Sequence, residues 1–259
     1  MKAAPRATSP RSVHLFRDAD ELARSAAAAV ADAAREAVAE RGRFAVMLAG
    51  GATPRRLYEA LARGADVDWA RSEVFFGDER PVPPDHADSN FGMARAALLR
   101  PLAVPSQRVH RIQAERRDLE AAARDYEDEL ARVLGGAPGG PAPRLDVVLL
   151  GLGADGHTAS LFPHSAALAE TRRWVVAHEV PALASWRITV TFPVLERARA
   201  VFFLVSGEAK AATLAEVLEG PSDPERLPSQ RLHAAQGRVE WFVDAAAASR
   251  LREPAHERP

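Results

Sequence analysis

The chain has 259 residues, and its 34 Lys plus Arg and 35 Asp plus Glu leave a formal net charge of −1. That balance excludes a general nucleic-acid binder, which carries a basic excess, while 47% hydrophobic and 27% charged residues describe a globular chain and not a disordered one. The absence of Cys removes disulfides, thiol nucleophiles and Cys-bound zinc.

Residues 1–12 are basic but have no apolar stretch of the kind a secretory signal needs, and no apolar run approaches the about 18 residues of a membrane span. The expectation is a soluble, cytoplasmic protein with flexible tails at 1–12 and 253–259 and a single domain over 13–252. Residues 19–40 are Ala-rich, free of Gly and Pro, and carry Leu22, Ala26, Val30, Ala33 and Ala37 at helical spacing. Residues 44–49 (FAVMLA) form a short unbroken apolar run, as in a strand covered on both faces. Gly50-Gly51-Ala52-Thr53-Pro54 ends it, with Thr53 as N-cap and Pro54 as first residue of a helix to about Arg63. A second buried strand (73–76) runs into Gly77-Asp78-Glu79-Arg80. Asp88-Ser89-Asn90 offers caps for a helix through Leu99, and 118–134 form a further helix. The Gly/Pro-rich stretch 135–144 reads as a surface connection, because a strand over 145–150 resumes the same rhythm. Strands near 173–177, 186–191 and 200–205, a helix near 207–219 and a last strand–helix pair near 239–251 follow. This alternation implies an α/β, Rossmann-like, mostly parallel sheet with helices on both faces. Ligands of such sheets bind at the carboxyl ends of strands.

Four loops at those ends attract attention. Gly151-Leu152-Gly153-Ala154-Asp155-Gly156 satisfies a dinucleotide fingerprint, and Glu179 lies at a suitable distance. Against a nicotinamide cofactor, Asp155 would repel a pyrophosphate and Pro163 cuts short the helix that should face it. His157 in the same loop is a candidate proton carrier beside Asp155, or a merely exposed histidine. Gly50, Gly51 and Thr53 suit an anion cradle and an ordinary capped turn equally. Asp78, Glu79 and Arg80 are either a solvated turn or a fixed arginine fork. Arg187 opens a strand (RITVTF), and Lys210 follows strand 200–205. Only Lys2 and Lys210 are lysines, which singles out the second. No HExxH pattern or Cys/His cluster calls for a metal.

Together, GGATPRRLYEAL (50–61), FFGDERPVPPDHADSNFGMARAALL (75–99), LDVVLLGLGADGHTASLFP (145–163), RITVTFPVL (187–195) and SGEAKA (206–211) resemble the 6-phosphogluconolactonase family, over about residues 13–252. The resemblance implies a fold shared with glucosamine-6-phosphate deaminases and hydrolysis of 6-phospho-D-glucono-1,5-lactone in the oxidative pentose phosphate pathway. It implies His157 as general base, Asp155 as its carboxylate and Arg80 as an active-site arginine. It implies Gly50, Gly51 and Thr53 as the sugar-phosphate loop, with Arg187 and Lys210 lining the site. Position 52 is Ala where many members have Ser, which leaves Thr53 and backbone amides for the phosphate. No metal or organic cofactor is implied. The expected partner is a small sugar-phosphate lactone, with no nucleic acid or membrane, on a monomer or weak dimer. The deaminase branch is the rival enzyme, but the DGH segment continues as TASLFP with no carboxylate before Glu170. A non-catalytic sugar-phosphate-binding module is the third possibility.

Overall fold

The computed structural model describes residues 11–64, 66–234 and 237–252. Six parallel strands form the main sheet in the order β1-β9-β8-β5-β2-β3: β1 Arg11–Phe16, β2 Phe44–Leu48, β3 Ser72–Phe76, β5 Val147–Gly151, β8 Ala200–Val205 and β9 Arg238–Asp244. Every residue of β2, β3 and β8 is buried. Successive side chains alternate between faces, so both faces of these strands are covered. The strands are linked through α1 (Ala19–Arg41), α2 (Ala52–Ala62), α3 (Asn90–Ala94), α4 (Leu119–Leu134), α5 (Phe192–Leu195) and α6 (Ala211–Glu219), and α7 (Ala245–Ala248) follows β9.

A second, antiparallel sheet joins β4 (Asp78–Glu79), β7 (Ser185–Val190) and β6 (Val175–Val180). This departs from an all-parallel reading. Only Pro181–Ala184 separate β6 from β7, and four residues cannot make the crossover that parallel strands require. The structure also corrects the expected tail at its inner end: Arg11 and Ser12 already pair with β9, while 1–10 and 253–259 lie outside the described residues. β1 is an edge strand, and its half-exposed Val13 and Leu15 give a weak apolar signal. The 135–144 stretch is a largely exposed connection between α4 and β5.

Two buried tyrosines fix strand ends. The Tyr58 hydroxyl accepts from the Ala49 N–H (2.9 Å) and donates to the Ala49 carbonyl (2.7 Å). Tyr126 does the same to Phe76, at 2.8 and 3.0 Å. Helix-face residues thereby hold the carboxyl ends of β2 and β3, where the main sheet meets its loops. Burial pushes both phenols up, so they stay neutral.

Candidate active site

A cleft of about 250 Å³ opens at the carboxyl ends of β2, β5 and β8. Gly50, Gly51, Arg80, His157 and Lys210 line it together, with Asp78, Asn90 and residues 151–154 of the glycine loop. Five of the eight residues singled out from sequence thus share one cavity, and Asp155 is bonded to one of them. Thr53 and Arg187 stand outside its lining.

Residues 151–157 fold into a turn closed by Gly153 N–H to the His157 carbonyl (2.8 Å) and Gly156 N–H to the Gly153 carbonyl (3.1 Å). Thr158 Oγ1 donates to the Gly151 carbonyl at 3.0 Å, and Thr213 Oγ1 donates to the Ala154 carbonyl at 2.6 Å. The turn brings the Asp155 carboxylate to 2.5 Å from His157 Nδ1, with the His157 N–H donating to the same oxygen at 3.2 Å. Burial alone would raise Asp155. The hydrogen bond from His157 and its nearby charge outweigh that and hold the carboxyl below its ordinary value. An ionised carboxylate only accepts, so Nδ1 carries a proton, and in the neutral ring Nε2 is then the nitrogen with the free lone pair. The ring rests on Phe162, centroids 4.1 Å apart. Glycine at 153 leaves room for this pair as it stands: a Cβ there would lie 2.1 Å from His157 Nδ1 and 2.5 Å from Asp155 Oδ1.

The 77–80 segment is not a solvated turn. Asp78 and Glu79 are buried in β4. The Glu79 carboxylate accepts the N–H groups of Arg80, Asn90 and Phe91 at 2.8–2.9 Å and the Ser89 hydroxyl at 3.1 Å. Burial nonetheless raises its pKa. Asp78 accepts from Ser160 Oγ (2.6 Å) and Asn90 Nδ2 (3.1 Å). Ser160 in turn holds His178, whose Nε2 donates to the Ser160 carbonyl at 2.8 Å. These buried bonds tie the glycine-loop segment, β4, α3 and the small sheet into one frame. Arg80 is anchored through its backbone to Glu79, and its guanidinium donates to the Asp88 carbonyl.

Gly51, not Thr53, occupies the N-cap of α2, with φ 104°, a conformation suited to glycine; no side chain caps this helix. Thr53 is half-buried within the first turn. Gly50 is needed for close approach, since a Cβ would fall 1.9 Å from Asn90 Oδ1. Lys210 ends a one-turn helix, Glu208–Lys210, and no described carboxylate pairs with it. Its turn is held by Asp244, which accepts from Ser206 Oγ at 2.5 Å and the Gly207 N–H at 3.0 Å. Arg187 donates to Ser185 Oγ (2.8 Å) and the Trp186 carbonyl (2.7 Å). Burial and then the positive charge of Arg80 lower its pKa. In sequence Asn90 reads as a helix cap, and neither Ser160 nor His178 stands out by residue type. Asn90 and Ser160 lie within the DER and DGH blocks, whereas His178 has no such local signal.

A family model described as glucosamine-6-phosphate isomerases/6-phosphogluconolactonase matches residues 17–241. The chain belongs to this family. A family relative from Synechocystis sp., named 6-phosphogluconolactonase, is 42% identical over 84% of this chain and 88% of its own length. The solved structure of 6-phosphogluconolactonase from Trypanosoma cruzi superposes with a TM-score of 0.83 at 29% identity, covering 96% of this chain and 100% of that one. A monomeric glucosamine-6-phosphate deaminase gives a TM-score of 0.76 at 23% identity over 92% of this chain and 99% of its own, which shows the shared family fold.

Proposed function

We infer that the chain hydrolyses 6-phospho-D-glucono-1,5-lactone to 6-phosphogluconate, as a soluble enzyme of the cytoplasmic pentose phosphate pathway. One observation carries the mechanism: His157 lines the cleft with Nδ1 held by Asp155 at 2.5 Å, together with Lys210, which has no ion-pair partner among the described residues. The Nε2 lone pair takes a proton from water as its oxygen attacks the lactone carbonyl carbon. Asp155 keeps the tautomer and stabilises the imidazolium formed. The oxyanion is met by Arg80 or by loop amides. The N–H groups of Gly153, Gly156 and His157 are already spent within the turn, which leaves those of Leu152 and Ala154 as the loop's candidates. As the carbon–ring oxygen bond breaks, His157 returns its proton to that oxygen. The substrate phosphate is assigned to Gly50, Gly51 and the N-terminus of α2, with Lys210 supplying the charge. Thr53 and Arg187 are assigned supporting places, Arg187 by adding its field to that of Arg80.

Deamination needs a further carboxylate near the histidine for its proton transfers. Glu170, the first one after the DGH segment, accepts the N–H groups of Arg172 and Arg173 and does not line the cleft. The decisive experiment generates the lactone in situ with a glucose-6-phosphate dehydrogenase and follows acid release, with and without a chelator. Acceleration over the spontaneous rate, insensitive to chelator, is expected. No acceleration would overturn the lactonase assignment, and chelator sensitivity would overturn water activation by His157 alone.

A further inference from the structure

The amino ends of the main-sheet strands carry a second polar cavity, of about 300 Å³, lined by Arg41, Arg144, Asp146, Arg199 and Arg238 with Glu36 and Glu40 on one wall. Its floor is rigid. The Asp146 carboxylate accepts the Ala45 N–H at 2.8 Å, the Arg238 N–H donates to the Arg199 carbonyl at 3.0 Å, and the Arg199 N–H donates to the Leu145 carbonyl at 2.9 Å. A Cβ at Gly237 would fall 2.2 Å from the Ala198 carbonyl, so only glycine lets these strand starts close together.

Three of the arginines are fastened in the same way. Arg144 Nε donates to the Arg197 carbonyl at 3.0 Å, Arg199 Nε sits 3.3 Å from Asp146, and Arg238 Nε sits 2.9 Å from Glu240. Among the described residues, no hydrogen bond engages their terminal nitrogens. Arg144 has no carboxylate partner there at all, whereas Arg41 is fully paired with Asp146 and Glu40. We propose that this cavity is a second anion site, separate from the catalytic cleft, which takes the phosphoryl group of a small free metabolite on the terminal forks of Arg144, Arg199 and Arg238. Planar forks held at Nε match a tetrahedral oxyanion with little ordering cost. Burial, then the like charges of Arg199, Arg197 and Arg41, press Arg144 below its ordinary pKa, against the opposing charge of Asp146. An anion relieves that crowding. Glu36 and Glu40 set a limit, favouring a singly phosphorylated ligand that can turn hydroxyl donors toward them. β5 runs between the two cavities, with Asp146 just before its start and Gly151 at its end; five steps of extended chain put them about 17 Å apart.

The site is tested by titrating the full-length protein with inorganic phosphate, at constant ionic strength held with chloride, and following the arginine Nε–H signals by NMR. Saturable shifts are expected at Arg144, Arg199 and Arg238, and they persist in Lys210→Ala. Arg144→Gln, an exposed change that leaves the fold intact, weakens binding at least tenfold and leaves lactone turnover within twofold of wild type. Shifts that stay linear, that vanish with Lys210→Ala, or that ignore Arg144→Gln overturn the proposal. So does a duplex DNA oligomer or a Glu-rich peptide that moves these signals when phosphate does not.

Discussion

A single methyl group at residue 153 is expected to separate folding from turnover. In Gly153→Ala the new Cβ meets His157 Nδ1 at 2.1 Å, Cε1 at 2.4 Å and Asp155 Oδ1 at 2.5 Å. Comfortable carbon contacts begin near ~3.5 Å, so the imidazole and the carboxylate must each retreat by about 1 Å. They can do so, because both are side-chain ends, with 29% and 47% of their surfaces exposed. The cost in stability therefore sits at the low end of the about 1–3 kcal/mol typical of overpacking. Catalysis has no such slack. A ~1 Å misplacement of a catalytic group costs ~10²-fold, and loss of the tautomer-fixing bond costs up to ~10⁴. Paired measurements of kcat for lactone hydrolysis and of thermal unfolding decide the matter. A variant with a nearly unchanged Tm and kcat reduced by ~10² or more is expected. Wild-type kcat in the folded variant would refute the dyad as the working unit, and unfolding at the wild-type growth temperature would refute the claim that the turn has room to give.

Lys210→Ala should raise KM for the phosphorylated lactone with kcat little changed, and should erase the preference over unphosphorylated gluconolactone; a preserved preference would place the phosphate elsewhere. Asp155→Asn should lower kcat by up to ~10⁴ without loss of fold, as an amide can pair with the wrong tautomer; a drop confined to KM would count against it. The pH dependence of stability should carry a share from His178, which burial holds below its ordinary pKa. As pH falls, the unfolded chain takes up this proton first. The contribution is therefore full above about 6.5 and erodes below it, down to the depressed folded value. His178→Gln keeps a donor for the Ser160 carbonyl, so the drop in urea midpoint between pH 8 and pH 5.5 should shrink. An unchanged drop would assign the acid sensitivity to other groups.

The α/β rhythm was legible because buried parallel strands read as unbroken apolar runs, as in FAVML and AVFFLV, and because the helix after β1 is rich in Ala with apolar residues at helical spacing. Edge strand β1 and the two-residue β4 were not legible, since neither is long and apolar on both faces. The helix expected from 90 to 99 is broken at Arg95 into a wider π-turn, closed by Arg100 N–H to the Arg95 carbonyl, which no local propensity announces. Within the site, residues whose role is set by their own loop were visible: the glycines, Asp155 and His157. Residues that act through distant partners were not. Asp78 and Ser160 are 82 positions apart and meet only because β4 docks on β7. Thr53 shows the opposite failure. It fits the pattern of a cap, but Gly51 with its positive φ takes that position and turns the helix end toward the cleft.

The role of His157 is measured most directly by replacing it alone. Steady-state hydrolysis of enzymatically generated lactone by His157→Gln should show kcat lower by ~10²–10⁴ with KM close to wild type, because the base acts on water and not on the phosphate. A KM increase at undiminished kcat would contradict that role and make the imidazole a binding group.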